Sequence, residues 1–277
     1  ELNVLDPALK ESDSIYIGSD PSGNTGYSSA NYNTAFGTSA LDHITTGDNN
    51  TAVGRASLTD LTTASYTTAI GAYAGEKVST GSAQGTFVGA FAGEQVTTGA
   101  YNTAVGYNAG GGASVDGSGN PTSSTADSNT SVGHSALEAV TTGQQNVAIG
   151  KNAGLALTTA QNNTLVGAYA ADSLTTGDLN TAIGYKALET NTVGDRNTAV
   201  GYEALRYLNP SSNVDMYNTA LGFKAGFDVN TGVQNTYIGT FSGEEATTGD
   251  GNVGVGYYSM GANAESTGDY NVGIGRY

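Results

Sequence analysis

Cysteine and tryptophan are absent from this chain of 277 residues, proline occurs four times, and only nine residues are lysine or arginine. Without cysteine there is no disulfide scaffold and no thiolate metal site, although either side of a cell envelope remains open. Against nine cations stand 25 Asp and Glu, a net charge of −16 that opposes nucleic-acid phosphates and anionic lipid headgroups as partners. No apolar run approaches the roughly 18 residues that a membrane-spanning helix needs, so no membrane insertion is expected. The chain opens at Glu1 without a signal-like segment, so any record of export is expected only in a segment outside it. Histidine is nearly missing too. His134 takes a position filled elsewhere by Tyr107, Lys151 and Tyr185, and His43 sits beside a T-T-G corner; both read as surface residues. No Ser-His-Asp order, phosphate-cradling Gly loop or H-E-x-x-H is present, and the expectation is a protein that is not an enzyme.

What is abundant is glycine, at 41 residues, with 17 tyrosines. There is no three-residue Gly period with abundant Pro, which removes collagen. The stretch N-T-A-V-G at 102 to 106 returns as N-T-A-V-G at 50 and 197 and as N-T-A-I-G at 180. Anchored on its closing glycine, the series runs 18, 37, 54, 71, 89, 106, 133, 150, 167, 184, 201, 222, 239, 256, 275. Most steps are 17 residues, which makes the interval a property of architecture.

The columns of this alignment carry readable chemistry. The residue before the anchor is always apolar (Ile17, Phe36, Val53, Ile70 and so on to Ile274) and is expected to form the core. Three residues after the anchor lies a small side chain, such as Ala40, Ala74, Ala109 or Ser242, read as a contact between neighbouring chains. Seven before most anchors a second glycine (Gly47, Gly99, Gly143, Gly177, Gly194, Gly232, Gly249, Gly268) reads as a corner needing positive φ. Four before the anchor stands asparagine: Asn50, Asn102, Asn146, Asn163, Asn180, Asn197, Asn218 and Asn235 are expected to stack as a side-chain amide ladder.

Thr103, Val105 and Tyr107 alternate with Ala104 and Gly106 at period 2, which excludes a helical repeat. The expected fold is all-β, a β-solenoid (β-roll) of about fifteen 17-residue rungs with two short strands each. Rungs about 4.8 Å apart would make a rod of roughly 70 Å. So thin a coil encloses little volume, and the expected state is a homotrimer. Residues 1–13 read as an N-terminal cap or linker, and 14–277 as a single repeat domain with loop insertions near 110–127 and 207–216.

The rungs N-T-A-V-G-Y-N-A (102 to 109), N-V-A-I-G-K-N-A-G (146 to 154) and T-T-G-D-L-N-T-A-I-G-Y-K-A-L (175 to 188) resemble repeats of bacteriophage tail-fibre and related virion adhesion proteins. They are also similar to the shorter rungs of trimeric autotransporter adhesin heads, which are left-handed trimeric β-rolls. The resemblance runs from about Ser14 to Tyr277, and the longer rung and lack of a coiled-coil stalk favour the viral fibre. It implies an extracellular, fibrous, homotrimeric protein, in a virion tail fibre or a cell-surface filament, and no catalysis.

Aromatic residues one or two positions after the anchor, Tyr73, Phe91, Tyr107, Tyr169, Tyr185, Tyr202, Phe223, Phe241 and Tyr257, form the candidate contact with a cell-surface glycan or protein receptor. Their alternative is packing on one another or at a protomer interface. No cofactor is expected. Calcium is the one alternative, through Asp48, Asp178, Asp195, Asp250 and Asp269 after the corner glycine. The expected function is a structural and adhesive fibre module, a phage tail-fibre shaft or receptor-contact segment. Two further readings stand beside it: a cell-made extracellular filament stacking end to end, and an ice-binding solenoid using the recurrent T-T of the corners.

Overall fold

The structure, a computed structural model, describes residues 9–11, 14–18, 30–80, 84–111, 123–261 and 267–276. The chain divides into two units, Glu1–Thr142 and Gly143–Tyr277. In the first, β1 (Leu9–Glu11) pairs antiparallel with β2 (Ser14–Ile17). Parallel strands then follow in chain order: β3 (Thr34–Phe36), β4 (Thr51–Val53), β5 (Thr68–Ile70), β6 (Thr86–Val88), β7 (Thr103–Val105) and β8 (Thr130–Val132). The second unit stacks β9 (Val147–Ile149), β10 (Thr164–Val166), β11 (Thr181–Ile183), β12 (Thr198–Val200), β13 (Thr219–Leu221), β14 (Thr236–Ile238), β15 (Val253–Val255) and β16 (Val272–Ile274). Each unit is a parallel β-solenoid, and among the described residues there is no helix.

Register is strict. Thr181, Ala182 and Ile183 face Thr198, Ala199 and Val200, so every repeat column becomes a stack at β spacing. A three-residue strand puts its first and third side chains on one side and its middle one on the other. Here the middle one is inside: Ala35, Ala52, Ala69, Phe87, Ala104, Ala148, Leu165, Ala182, Ala199 and Ala220 are buried. This overturns the expectation that the residue before the anchor glycine forms the core. That column is half-buried or exposed, with Phe36 at 56% and Leu221 at 47%. The reason is space, since the opposite wall of a 17-residue coil comes close enough that alanine, not valine, fits between.

The small column three residues past the anchor is equally internal. Ala40, Ala74, Ala92, Ala109, Ala136 and Ala153 have no exposed surface. They pack within their own chain, so the expected interchain contact at these residues is replaced by an intrachain one. Each rung also has one strand, not two. After the anchor the chain runs through turns whose left-handed residues aim leucines inward: Leu41, Leu58, Leu137, Leu188 and Leu205 have φ between 48° and 55° and are fully buried. A third inward column, including Ile44, Leu61, Val78, Leu157, Leu174 and Leu208, closes the core.

Core volumes trade between columns. Four rungs pair an inward alanine with a leucine six residues later, as Ala52 with Leu58, and four pair it with a glycine, as Ala69 with Gly75. Where the strand carries Phe87 or Tyr237, the partner position is Gly93 or Gly243, and a Cβ there would collide with the ring. The anchor glycines solve a different problem. Gly37 has φ +143, and a Cβ on it would strike the carbonyl oxygen of Gly54 on the next rung. The corner glycine has another reason than the expected positive φ: Gly47 lies outside that region, and its Cβ would strike the carbonyl oxygen of Ala64.

Candidate functional site

With alanine inside, the strands turn their larger residues outward. The first strand position is threonine on β3 to β8 and on most rungs of the second unit, and the third is Val, Ile, Leu or Phe throughout. Two flanking columns also point to solvent. Five residues before the anchor stand Tyr32, Tyr66, Tyr101, Leu179, Tyr217 and Tyr270, all at least 43% exposed; one residue after it stand Tyr107, Tyr185, Tyr202, Phe223 and Tyr257. On the rungs of β3 to β16 no carboxylate occupies any of these four columns, although the chain holds 25. Four of its nine cations do: Arg55, Lys151, Arg196 and Arg276. An acidic protein thus keeps one broad apolar strip per unit free of negative charge.

The candidate receptor residues form rows within each unit. In the first, Tyr73 stacks on Phe91 at 5.2 Å, Phe91 meets Tyr107 edge-on at 5.6 Å, and Tyr107 stacks on His134 at 5.4 Å. In the second, Tyr169, Tyr185, Tyr202, Phe223, Phe241 and Tyr257 follow one another at centroid distances of 6.0, 5.3, 5.1, 5.3 and 6.1 Å. Cations lie over ring faces, Arg55 on Tyr73 at 5.1 Å and Lys151 on Tyr169 at 5.5 Å. The rings therefore pack on one another and still expose part of each face or edge: Tyr107, Tyr202 and Phe223 remain exposed.

The asparagines are buried and make two kinds of bond. The backbone N–H of Asn197 donates to Asn180 Oδ1 at 2.9 Å, while Asn180 Nδ2 donates to the Gly194 carbonyl at 2.9 Å. Asn50, Asn218 and Asn235 repeat the amide-to-corner bond at 3.0, 2.8 and 2.8 Å. Asn102 and Asn146 do so at 2.6 and 2.8 Å, and Asn163 Nδ2 donates both to Asn146 Oδ1 and to the Gly177 carbonyl. Thr67 takes the asparagine position on its rung, and its buried hydroxyl has no partner.

The corner threonines are occupied. Thr45, Thr62, Thr97, Thr158 and Thr175 donate their hydroxyls to a carbonyl of the next rung. The hydroxyls of the outward strand threonines, by contrast, make no hydrogen bond among the described residues. The corner aspartates are committed to the backbone: Asp48 accepts from Asn31 N–H, Asp178 from Gln161, Asp195 from Asp178 and Asp250 from Val233. Burial, with Asp178 and Asp215 nearby, holds the Asp195 carboxyl above the usual range. Among the described residues no three His, Asp or Glu side chains gather as a metal set. His43 lies 3.5 Å from Asp60.

The insertion near 110–127 falls largely on residues 112–122, outside the described residues. The insertion near 207–216 leads out from an ion-pair group in which Arg206 contacts Glu189 and Glu203, and Lys186 lies 2.6 Å from Glu189. Burial works against the Glu189 charge, yet hydrogen bonds from Lys186 and Arg206 hold its carboxyl below the usual range. The outward Thr and Val/Ile columns escape a reading that sends every apolar residue inward; the signal was the recurrent alanine between them, smaller than the residues that fill a roomy core. No family model, no curated protein and no solved structure matches this chain.

Proposed function

We propose that the chain is a structural and adhesive fibre module, of the kind that serves as a phage tail-fibre shaft or receptor-contact segment, acting outside the cell. Its copies associate as a homotrimer through the outward strand columns, and its aromatic rows meet a cell-surface glycan or protein receptor. The observation that carries this reading is the carboxylate-free apolar strip on a chain of net charge −16. Copies of so acidic a chain repel one another over most of their surface, and this strip is where they approach without that cost. Covering what a half-buried Val or Ile still exposes there contributes about 1 kcal/mol each, and the sum over the rungs offsets the entropy of association.

Light scattering during size exclusion, at low and moderate salt, tests the reading. A mass of three chains at both salts supports it; a single-chain mass removes the trimer. Open-ended growth would favour the end-to-end filament, against which stands β1, already paired along the outer edge of β2. Ice binding gains one observation: the strand threonines, not the corner ones, present uncommitted hydroxyls at regular spacing. Thermal hysteresis in the single-chain species would support that second reading, and its absence would end it.

A further inference from the structure

In a repeat protein a site shows itself where successive rungs leave the repeat together. Eight residues after the anchor the corner column reads Thr45, Thr62, Ser79 and Thr97 in the first unit, and Thr158, Thr175 and Thr192 in the second. On the next two rungs it reads Asn209 and Asn230. Two residues earlier in those rungs, and in the one that follows, stand Tyr207, Asp228 and Glu245. These residues, with Thr190, Thr247 and Thr248, line an open groove of about 900 Å³.

The groove is prepared for a ligand in three respects. Its ring is held: Tyr207 packs edge-on to Phe227 at 5.0 Å and carries Arg206 at 5.1 Å over its face, yet remains 38% exposed. Its polar groups are free: Asp228, Asn230 and Glu245 line the groove, and their side chains make no hydrogen bond among the described residues. Its acids are paired without a shared cation. Burial and the negative charge of Glu245 hold the Asp228 carboxyl above the usual range, and Lys224 opposes this only in part, being drawn to the Phe227 ring at 4.4 Å.

We propose that this groove binds a neutral oligosaccharide, whose ring stacks on Tyr207 while its hydroxyls bridge to Asn209, Asn230, Asp228 and Glu245. An apolar ring face beside two amides and two carboxylates matches the alternation of C–H faces and hydroxyl edges on a sugar. Three rung steps span about 14 Å, the length of a short oligosaccharide rather than a single ring. Anionic sugars are disfavoured by the two carboxylates. This site is separate from the aromatic rows and stands or falls independently of the association proposed above.

The test is titration calorimetry of the full chain with cellotriose, maltotriose, mannotriose and tri-N-acetylchitotriose, with spermidine as the cationic comparison. At least one trisaccharide is expected to bind saturably, and Tyr207→Ala and Asn230→Ala are expected to weaken it by roughly tenfold or more. Thr46→Ala, at an exposed corner of the first unit, is expected to leave that binding unchanged, and all variants should keep the parent circular dichroism spectrum. No saturable binding by any of the four at about 10 mM would overturn the proposal. So would equal loss in Thr46→Ala, or binding of spermidine alone.

Discussion

At the scale of single residues, the ladder asparagine is the most constrained position. Asn180 receives the backbone N–H of Asn197 and donates to Gly194, both buried, so truncation leaves a donor and an acceptor without partners. Asn180→Ala is expected to lower stability by about 2–4 kcal/mol in urea titration, with an unchanged m value. Tyr237 is the converse case. Its ring fills the core, but its buried hydroxyl has no bonded partner, and burial pushes its pKa up to about 12 against the opposing influence of the nearby Asn252 amide. Tyr237→Phe keeps the ring and removes the orphan, so it is expected to raise stability by about 1 kcal/mol in the same assay. A loss instead would mean that the hydroxyl is bonded in solution.

At the scale of the rung, the core is a set of volumes shared between columns. Phe87→Ala is expected to cost about 3–5 kcal/mol, because the ring is fully buried against Gly75 and Gly93. Gly93→Leu alone should also destabilise, since a Cβ at 93 meets the Phe87 ring. Together they rebuild the Ala and Leu pairing of Ala52 and Leu58, at a φ that Leu58 already adopts. A double-mutant cycle by urea unfolding should therefore show favourable coupling of about 2 kcal/mol or more, and additivity would contradict the shared-volume account. The period, the strand at N-T-A-V-G and the asparagine column were legible in the sequence, because each is an identity repeated at fixed spacing; the volume trade is a relation between columns that only packing shows. The direction of the strand faces was not. Alternation shows which residues share a side, and only the distance to the opposite wall, a tertiary quantity, decides that Ala52 is inside and Val53 outside. For the same reason Gly47 looked like a turn glycine when close contact with Ala64 is what demands it.

At the scale of the whole chain, charge sets the behaviour. Burial, with like-charged neighbours, holds Glu94, Asp172, Asp195, Asp228 and Glu244 above their usual range. A raised folded-state pKa means the folded chain takes up protons before the unfolded one, so stability rises as pH falls through it. Glu189 is lowered and acts oppositely, losing its contribution as pH falls through its folded value. Asp215, lowered by its bonds to Tyr217 and Arg196, acts with Glu189; five against two, with net repulsion also easing toward the isoelectric point near 4.1, the melting temperature is expected to rise between pH 7 and about pH 5. A fall over that window in scanning calorimetry would contradict this balance.

The central claim is that the outward strand columns are where copies of this chain meet. It is tested most directly by sedimentation equilibrium of Ile183→Asp, which plants a carboxylate in the carboxylate-free strip, beside Thr248→Asp, which adds the same charge at an exposed corner. The account predicts a three-chain mass for the parent and for Thr248→Asp, and a single-chain mass for Ile183→Asp with its circular dichroism intact. A three-chain mass for Ile183→Asp would contradict it and place the interface elsewhere on the chain.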